Sequence, residues 1–422
     1  MSTQSAQSIL FTHTAPQQAF RLLELPADLA ELLSSDNPPT YEHPEPMSYL
    51  LSYIILINPN HSLEIKSPTP SSQESNPTDP PTDTTREYIN LCTPTQTYRI
   101  RQVQSSNSLH ILRPSDDGIQ RGNLAVVGGP TTTEDPVLAD MNLSETMTTI
   151  AKCGSTLELH TPQEGFNIIP VLEGLLGRYD SLSDGNTEQG RLSESTDRRK
   201  IIEGVFADVP VSRMQCGRAW REVCAFVLPD TGRGWVPTAK VKIGVWKRAV
   251  EGSVLQGIDL GKQFLVRDVW RSVLDENGEG EWPRELFEAV VRRVCEAGDS
   301  DGGLLMEGEM KWASIDKEGC VRWVGETYLE AVAPTANAAL GRSEFLNAWK
   351  DHLPEGWREE VALSKLTEDK HRFPDPTTIC FVNDDDRQKL KKNLSTDASA
   401  STTAKKTRNW HELFKNQKRQ KR

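Results

Sequence analysis

Residues 88–114, YINLCTPTQTYRIRQVQSSNSLHILRP, leave the backbone few options. Residues 98–103 set Tyr98, Ile100 and Gln102 on one side and Arg99, Arg101 and Val103 on the other, the period-two alternation of a strand. Residues 108–113 repeat it, with Leu109 and Ile111 against His110 and Leu112. Residues 88–92 supply a further short strand. Asn107 suits a turn before Ser108, because Asn tolerates positive φ. Three short strands joined by two tight polar turns predict a small antiparallel sheet or barrel, extended by strands at 124–127 and 156–160. The run carries no nucleophile–base pair, no metal-ligand spacing and no glycine cradle for phosphate. A patterned segment without chemistry points to a binding surface.

The rest of the chain is more polar. Of 422 residues 36% are hydrophobic, a figure that ordered domains separated by polar segments would give. The net charge of -12 argues against a chain that coats nucleic acid along its length, while leaving room for a local basic patch. The seven cysteines form no CxxC pair, so a zinc site is not expected. Their odd number and long spacings, with no signal peptide, predict reduced thiols inside the cell. The longest apolar run, residues 47–58, is too short to cross a bilayer and predicts a buried strand or helix. Residues 20–33 repeat apolar positions at helical spacing around Pro26, which should leave a short helix from Ala27. The Ser/Thr/Pro/Asp-rich residues 67–85 predict a disordered loop.

From Phe166 the pattern turns helical. Helices are expected over 166–179, 198–206 and 212–227, the last opening on the capping box Ser212-x-x-Gln215. A strand pair or loop follows at 235–243. Helices at 254–274 and 283–297 come next, the second with Pro283 at a favourable first position. Residues 311–315 and 320–325 then flank Asp316-Lys317-Glu318-Gly319, which reads as a hairpin turn. A third round has helices at 343–352 and 357–366 and a strand at 377–382. Helices followed by a strand-like wing, three times, predict tandem winged-helix-like units.

The expected fold class is therefore α+β. A β-rich assembly domain spans 1–165, winged-helix-like domains span 166–250, 251–335 and 336–390, and a disordered basic tail spans 391–422. Residues 405–422 of that tail hold eight basic residues against one acidic, Glu412.

No catalytic constellation emerges. Gly257 to Lys262 resembles a phosphate-binding loop, but it has three residues between the glycines instead of four, and Gln263 stands where a Mg²⁺-binding hydroxyl is needed. A helix start explains it better. His411-Glu412 continues into Lys415, so a zinc-protease motif is absent, and there is no GxSxG. No enzyme, cofactor or metal is expected.

Basic residues are the stronger signal. Arg284, Arg292 and Arg293 fall on one helix of the middle unit, where a recognition helix would meet phosphates. Lys240, Lys242, Lys247 and Arg248 cluster after the first wing. Lys365, Lys370, His371 and Arg372 follow the last clear helix. Acids surround each group, so a solvated face is the competing reading. The tail residues Lys415, Lys418, Arg419, Lys421 and Arg422 have few acidic neighbours and suit nuclear import or a weak electrostatic DNA contact. Most tryptophans are expected in cores.

Three blocks resemble the DCC family, named for defective sister-chromatid cohesion. The first is Leu22-Leu23-Glu24-Leu25 with Leu91-Cys92-Thr93, Thr97-Tyr98 and Ser105-Ser106-Asn107-Ser108-Leu109. The second is Val209-Pro210-Val211-Ser212 with Ala219-Trp220. The third joins Phe345 through Trp349, Pro354-Glu355-Gly356, Lys365-Leu366 and Ile379-Cys380-Phe381. The resemblance implies a nuclear, non-catalytic subunit of an alternative replication factor C clamp loader, whose ATPase lies in other subunits.

In that family the N-terminal β region joins strands from a large chromosome-transmission-fidelity subunit and its small companion in a shared barrel. Tyr98, Ile100, Leu109 and Ile111 would then be partner-binding. The winged-helix region is linked to DNA polymerase epsilon and to DNA, bound weakly and without sequence preference, with the sliding clamp an indirect partner. Two departures stand out. Residues 40–61 interrupt a link that is shorter in the family, as a retained intron would, and low complexity with a basic tail replaces a final Trp-containing helical segment. The runner-up reading is a free-standing tandem winged-helix DNA-binding regulator.

Overall fold

The computed structural model describes residues 10–13, 17–35, 40–41, 62–67, 88–115, 146–163, 165–180, 198–228, 231–276, 278, 280–296 and 310–383. The fold is mixed α+β. The chain divides into two compact units, residues 1–167 with 207–215 and residues 168–206 with 216–422.

The N-terminal unit is built on a seven-stranded sheet. Its strands are β1 (Leu10–His13), β2 (Leu22–Glu24), β3 (Thr40–Tyr41), β4 (Ser62–Lys66), β5 (Ile89–Cys92), β6 (Thr97–Ser115) and β7 (Thr146–His160). They lie in the order β1-β7-β6-β5-β4-β3, with β2 also beside β7. The β4–β5, β5–β6 and β6–β7 pairs are antiparallel, whereas β1 and β2 run parallel to β7.

Pro26 caps the short helix α1 (Ala27–Leu33), as its fixed φ predicts. Leu29 of α1 is buried with Leu63, Leu91 and Tyr98, and Leu33, Ile100 and Leu159 close the cluster. Residues 207–215 lie against the other face. Asn90 Nδ2 donates to the Pro210 carbonyl at 2.6 Å, Lys66 Nζ to the Val211 carbonyl at 3.2 Å, and the Met214 amide to the Pro94 carbonyl at 3.1 Å.

The expected turn at Asn107 is absent. Residues 98–103 and 108–113 belong to one long strand, β6, interrupted by a bulge. Gln104 pairs with Ser155 and Leu109 with Cys153, so Ser105–Ser108 stand opposite Gly154 alone. The polar stretch loops out of the ladder without reversing the chain. The expected strand at 156–160 is the end of the much longer β7. The sheet is open, with no closed barrel among the described residues. The expected strand at 124–127, the loop at 68–85 and most of the 40–61 insertion, including the apolar run 47–58, lie outside the described residues.

The elements that follow are α2 (Ile169–Leu175), β8 (Gly177–Tyr179), α3 (Arg198–Asp208), α4 (Arg213–Glu222), β9 (Phe226–Leu228) and β10 (Arg233–Pro237). Next come α5 (Ala239–Leu255), β11 (Phe264–Leu265), α6 (Val266–Val273), α7 (Arg284–Val294) and β12 (Trp312–Ala313). The last set is α8 (Lys317–Val332), β13 (Leu340–Gly341), α9 (Arg342–Asp351), 3-10 turns at Glu355–Glu360, Leu363–Lys365 and Glu368–Lys370, β14 (His371–Arg372) and β15 (Thr378–Phe381). Each set runs helix, short strand, helical pair or turns, then returning strand.

In the C-terminal unit α5 packs against α6, α7 and α8. Trp246 of α5 is buried, donates from Nε1 to the His352 carbonyl at 2.9 Å and meets Trp323 edge to face at 6.3 Å. Trp349 donates to the Val321 carbonyl at 2.9 Å. That contact requires a glycine on α8, because a Cβ at Gly325 would lie 2.4 Å from the Trp349 indole.

Several expected elements take a different form in the structure. Residues 235–243 are a strand end followed by a helix start, with Thr238 capping α5 through the Val241 amide at 3.5 Å. The expected hairpin at Asp316-Lys317-Glu318-Gly319 is the N-terminus of α8. Asp316 Oδ1 accepts from the Gly319 amide at 3.1 Å, an N-cap. The apolar positions Cys320, Val321 and Val324 then face the core at helical spacing. The helix expected over 254–274 is absent as such: α5 ends at Leu255, Gly257 turns the chain at φ 65°, and helix resumes at Val266. The helices expected over 166–179 and 212–227 stop at Leu175 and Glu222, each followed by a strand. Residues 357–366 form 3-10 turns. The capping box at Ser212 is present: Ser212 Oγ accepts from the Gln215 amide at 3.3 Å and Gln215 Oε1 from the Ser212 amide at 3.4 Å.

Candidate partner-binding edge and basic surface

Among the described residues, β6 is paired along most of its length on one side only. β7 covers it from Arg99 to Ser115, whereas β5 reaches no further than Ile100. From Arg101 to Ser115 no described strand pairs with its other edge. An edge of that length with no described strand beside it is a template for another chain.

The four residues expected to bind partners divide at the bulge. Tyr98 is buried, and its hydroxyl lies 2.5 Å from both Asp28 Oδ2 and Gln96 Oε1, donating to one at a time. Burial and the Asp28 carboxylate push its pKa up. Ile100 packs in the same cluster, so these two hold the unit's own core. Leu109 is 51% exposed and Ile111 half-buried, both in the open-edged part. Sequence reasoning passed over Leu112, 40% exposed, and the exposed Ile65 and Ile89. No sequence signal marked the last two: it is the register that sets Ile65 beside Leu91 and Ile89 beside Ile100.

The basic candidates of the C-terminal unit are mostly engaged. Arg284 pairs with the nearly buried Glu288 at 3.0 Å. Arg293 donates to the Glu222 carbonyl at 3.3 Å, and the Arg292 carbonyl accepts from Arg221 at 2.8 Å. These contacts tie the end of α7 to α4. Lys365 pairs with Glu318 at 2.8 Å, which holds the carboxyl below and the ammonium above its ordinary range. Lys370 lies 3.4 Å from Glu326, a carboxylate that also accepts from the Thr367 amide and hydroxyl. Arg372 is exposed on β14.

The structure adds two residues beside it. Arg342 stacks on Phe373 at 3.9 Å, and His371 meets the same ring edge-on. The adjacency of His371, Arg372 and Phe373 was visible in the sequence; the approach of Arg342 was not. Lys415, Lys418 and Arg419 lie outside the described residues.

Among the described residues nothing assembles a reaction centre. The phosphate-loop look-alike is a turn after a helix, not a helix start: Asp259 Oδ1 accepts from the Gly261 amide at 2.9 Å and Oδ2 pairs with Lys262 at 3.1 Å. A cavity of about 150 Å³ between α5 and the turn at Trp357 is lined mainly by apolar groups such as Val250, Ile258 and Leu260. Among the described residues no His/Cys/Asp/Glu group could hold a metal, and no helix is long and apolar enough to cross a membrane. All seven cysteines are buried and unbridged.

No curated protein matches the chain. The family described as sister chromatid cohesion protein Dcc1 matches residues 20–386. That span covers the sheet apart from β1, the three recurrent sets of elements and both candidate surfaces. Membership implies a non-catalytic role in sister chromatid cohesion, at chromatin in the nucleus. The chain belongs to the Dcc1 family of sister chromatid cohesion proteins.

Proposed function

We propose that this protein is a non-catalytic assembly and tethering subunit of an alternative replication factor C clamp loader. The open edge of β6 from Arg101 to Ser115 carries the proposal. Strands from the large chromosome-transmission-fidelity subunit and its small companion pair with that edge, where backbone hydrogen bonds give strength and Leu109 and Leu112 give apolar cover. The partner chains complete the barrel that this chain leaves open.

The threefold recurrence of helix, strand, helices and returning strand supports tandem winged-helix-like units, with α2, α5 and α8 as leading helices. These units hold the loader to DNA polymerase epsilon and to DNA, and bring it to the sliding clamp. Of the basic candidates, Arg372 with Arg342 and Phe373 is the best-presented group for a phosphate backbone, since Arg284, Lys365 and Lys370 are already paired.

The test is co-purification of the full-length chain from nuclear extract, followed by mass spectrometry. Clamp-loader subunits in stoichiometric amount support the proposal. A chain that purifies alone and binds one DNA sequence tightly overturns it.

A further inference from the structure

The N-terminal sheet carries a second feature, independent of its open edge. Lys66, Asn90, Arg99 and His160 occupy one lateral row across β4, β5, β6 and β7: Lys66 pairs with Asn90, Asn90 with Arg99, and Arg99 with His160. Residues directly opposite one another point to the same face. Three buried side-chain atoms in this row lack a hydrogen-bond partner: Asn90 Oδ1, Arg99 Nε and His160 Nδ1. Buried polar groups are nearly always satisfied, and leaving one unmade is costly. Three in adjacent positions mark a place built for a polar ligand.

The charge of the row says which ligand. The Arg99 guanidinium is held between two rings, 4.2 Å from the Tyr88 centroid and 5.8 Å from that of Phe166. No described carboxylate pairs with it. The nearest acid in the neighbouring row, Glu158, is engaged by Arg101 at 2.9 and 2.6 Å. Lys66 pairs with Glu64 at 3.1 Å. Burial and the charges of Arg101 and Arg99 hold the His160 pKa down, against the weaker effects of a ring hydrogen bond to the Arg99 backbone and of Glu158. A fixed planar fork without a counter-charge suits an oxyanion.

Asn90 narrows the class. Its Nδ2 donates to the Pro210 carbonyl at 2.6 Å, which fixes Oδ1 as the acceptor left over. A carboxylate offers acceptors only. A phosphate monoester, with a second pKa near 6, offers acceptor oxygens and a P–OH donor together. Strands about 4.8 Å apart put neighbours in the row within reach of one tetrahedral group. We propose that Asn90, Arg99 and His160 form a binding site for a phosphate monoester.

The test uses the full-length protein with whatever chains co-purify with it. Its thermal unfolding midpoint is followed at pH 6.5 as sodium phosphate replaces sodium chloride at constant ionic strength, with acetate as the planar control. Phosphate should raise the midpoint in a saturable, concentration-dependent way. Acetate should not, and Arg99→Gln should abolish the response. Arg99→Lys, which keeps charge without the fork, should weaken binding about tenfold. Arg199→Gln, on the exposed surface of α3, should leave it unchanged.

A short phosphoserine peptide that acts at lower concentration than inorganic phosphate assigns the site to a phosphorylated side chain; equal potency assigns it to free phosphate. If Arg99→Gln fails to fold, His160→Gln serves in its place. An equal response to phosphate, acetate and chloride, or a phosphate response retained in the Arg99 and His160 variants, overturns the proposal and leaves the row to ordered water.

Discussion

Substituting aspartate at two positions of one strand should separate folding from partner capture. Ile100 and Leu109 share β6 and are both apolar, but Ile100 packs against the Leu29–Leu63–Leu91–Tyr98 cluster while Leu109 is 51% exposed. Ile100→Asp removes about 2 kcal/mol of apolar burial. It also sets a carboxylate against an apolar cluster, so a loss of about 3 kcal/mol or more is expected. That is a large part of the roughly 5–15 kcal/mol that holds a domain together.

Leu109→Asp forfeits at most about half a leucine's burial, roughly 1 kcal/mol. Its effect on the assembled complex should be larger, because the exposed half becomes interface and the new carboxylate must lose water there. Some 2–3 kcal/mol corresponds to a loss of about 30- to 150-fold in affinity. The assay is paired: chemical denaturation of each variant, then pull-down of the partner chains at graded concentration. Ile100→Asp should fail the first measurement. Leu109→Asp should pass it and fail the second. Wild-type partner affinity in Leu109→Asp would refute the assignment of this edge as an interface, and an unchanged denaturation midpoint in Ile100→Asp would refute the stated packing of the sheet.

Gly325→Ala should destabilise the C-terminal unit by about 1–3 kcal/mol: overpacking against Trp349 outweighs the roughly 1 kcal/mol that alanine adds to a helix. Gly204→Ala in α3, which meets nothing within 4 Å, should stabilise slightly, and calorimetry of the pair distinguishes the two. The seven buried cysteines should resist a thiol reagent at pH 8 in the native protein and react fully once it is unfolded.

Cys92, pushed up to about 11 by burial, stays protonated in the fold where an unfolded thiol ionises, so its contribution to stability is lost as pH rises from 9 towards 11. His160 works in the opposite direction. Its pKa is lowered from 6.5, so the unfolded chain takes up the proton first and stability falls as pH drops below 6.5. His160→Gln should flatten that acid limb in denaturation curves measured between pH 7 and 5.

What the sequence could disclose depended on whether a local rule had a competitor. The capping box at Ser212 and the break at Pro26 are rules of one turn of chain, and both appear as written. Asp316-Lys317-Glu318-Gly319 satisfied two rules at once, a hairpin turn and a helix N-cap. The apolar positions after it decide between them, because Cys320, Val321 and Val324 share a face only at helical spacing. Ser105–Ser108 likewise satisfied both a turn and a bulge. There the deciding fact lay nearly fifty residues away, in the strand that continues past Gly154 and keeps β6 in one ladder. No pattern within residues 98–113 could have supplied it.

The candidate sites follow the same division. Alternation along β6 identified Leu109 and Ile111, but not which half of the strand would have no described strand on its second edge, since that depends on β5 beginning at Ile89. The row of Asn90, Arg99 and His160 was hidden for a stronger reason. Its members come from three strands and have no common spacing in the chain. Register alone makes them neighbours, and burial alone makes their unpaired atoms conspicuous. The basic residues show the converse. Arg284, Lys365 and Lys370 were the conspicuous charges in the sequence, and each has a carboxylate partner supplied by folding. Arg99 and Arg342, which drew no notice as charges, are the ones held against aromatic rings. A cation's availability to a ligand is thus set by the acids that the fold brings to it, and a count of basic residues along the chain does not measure it.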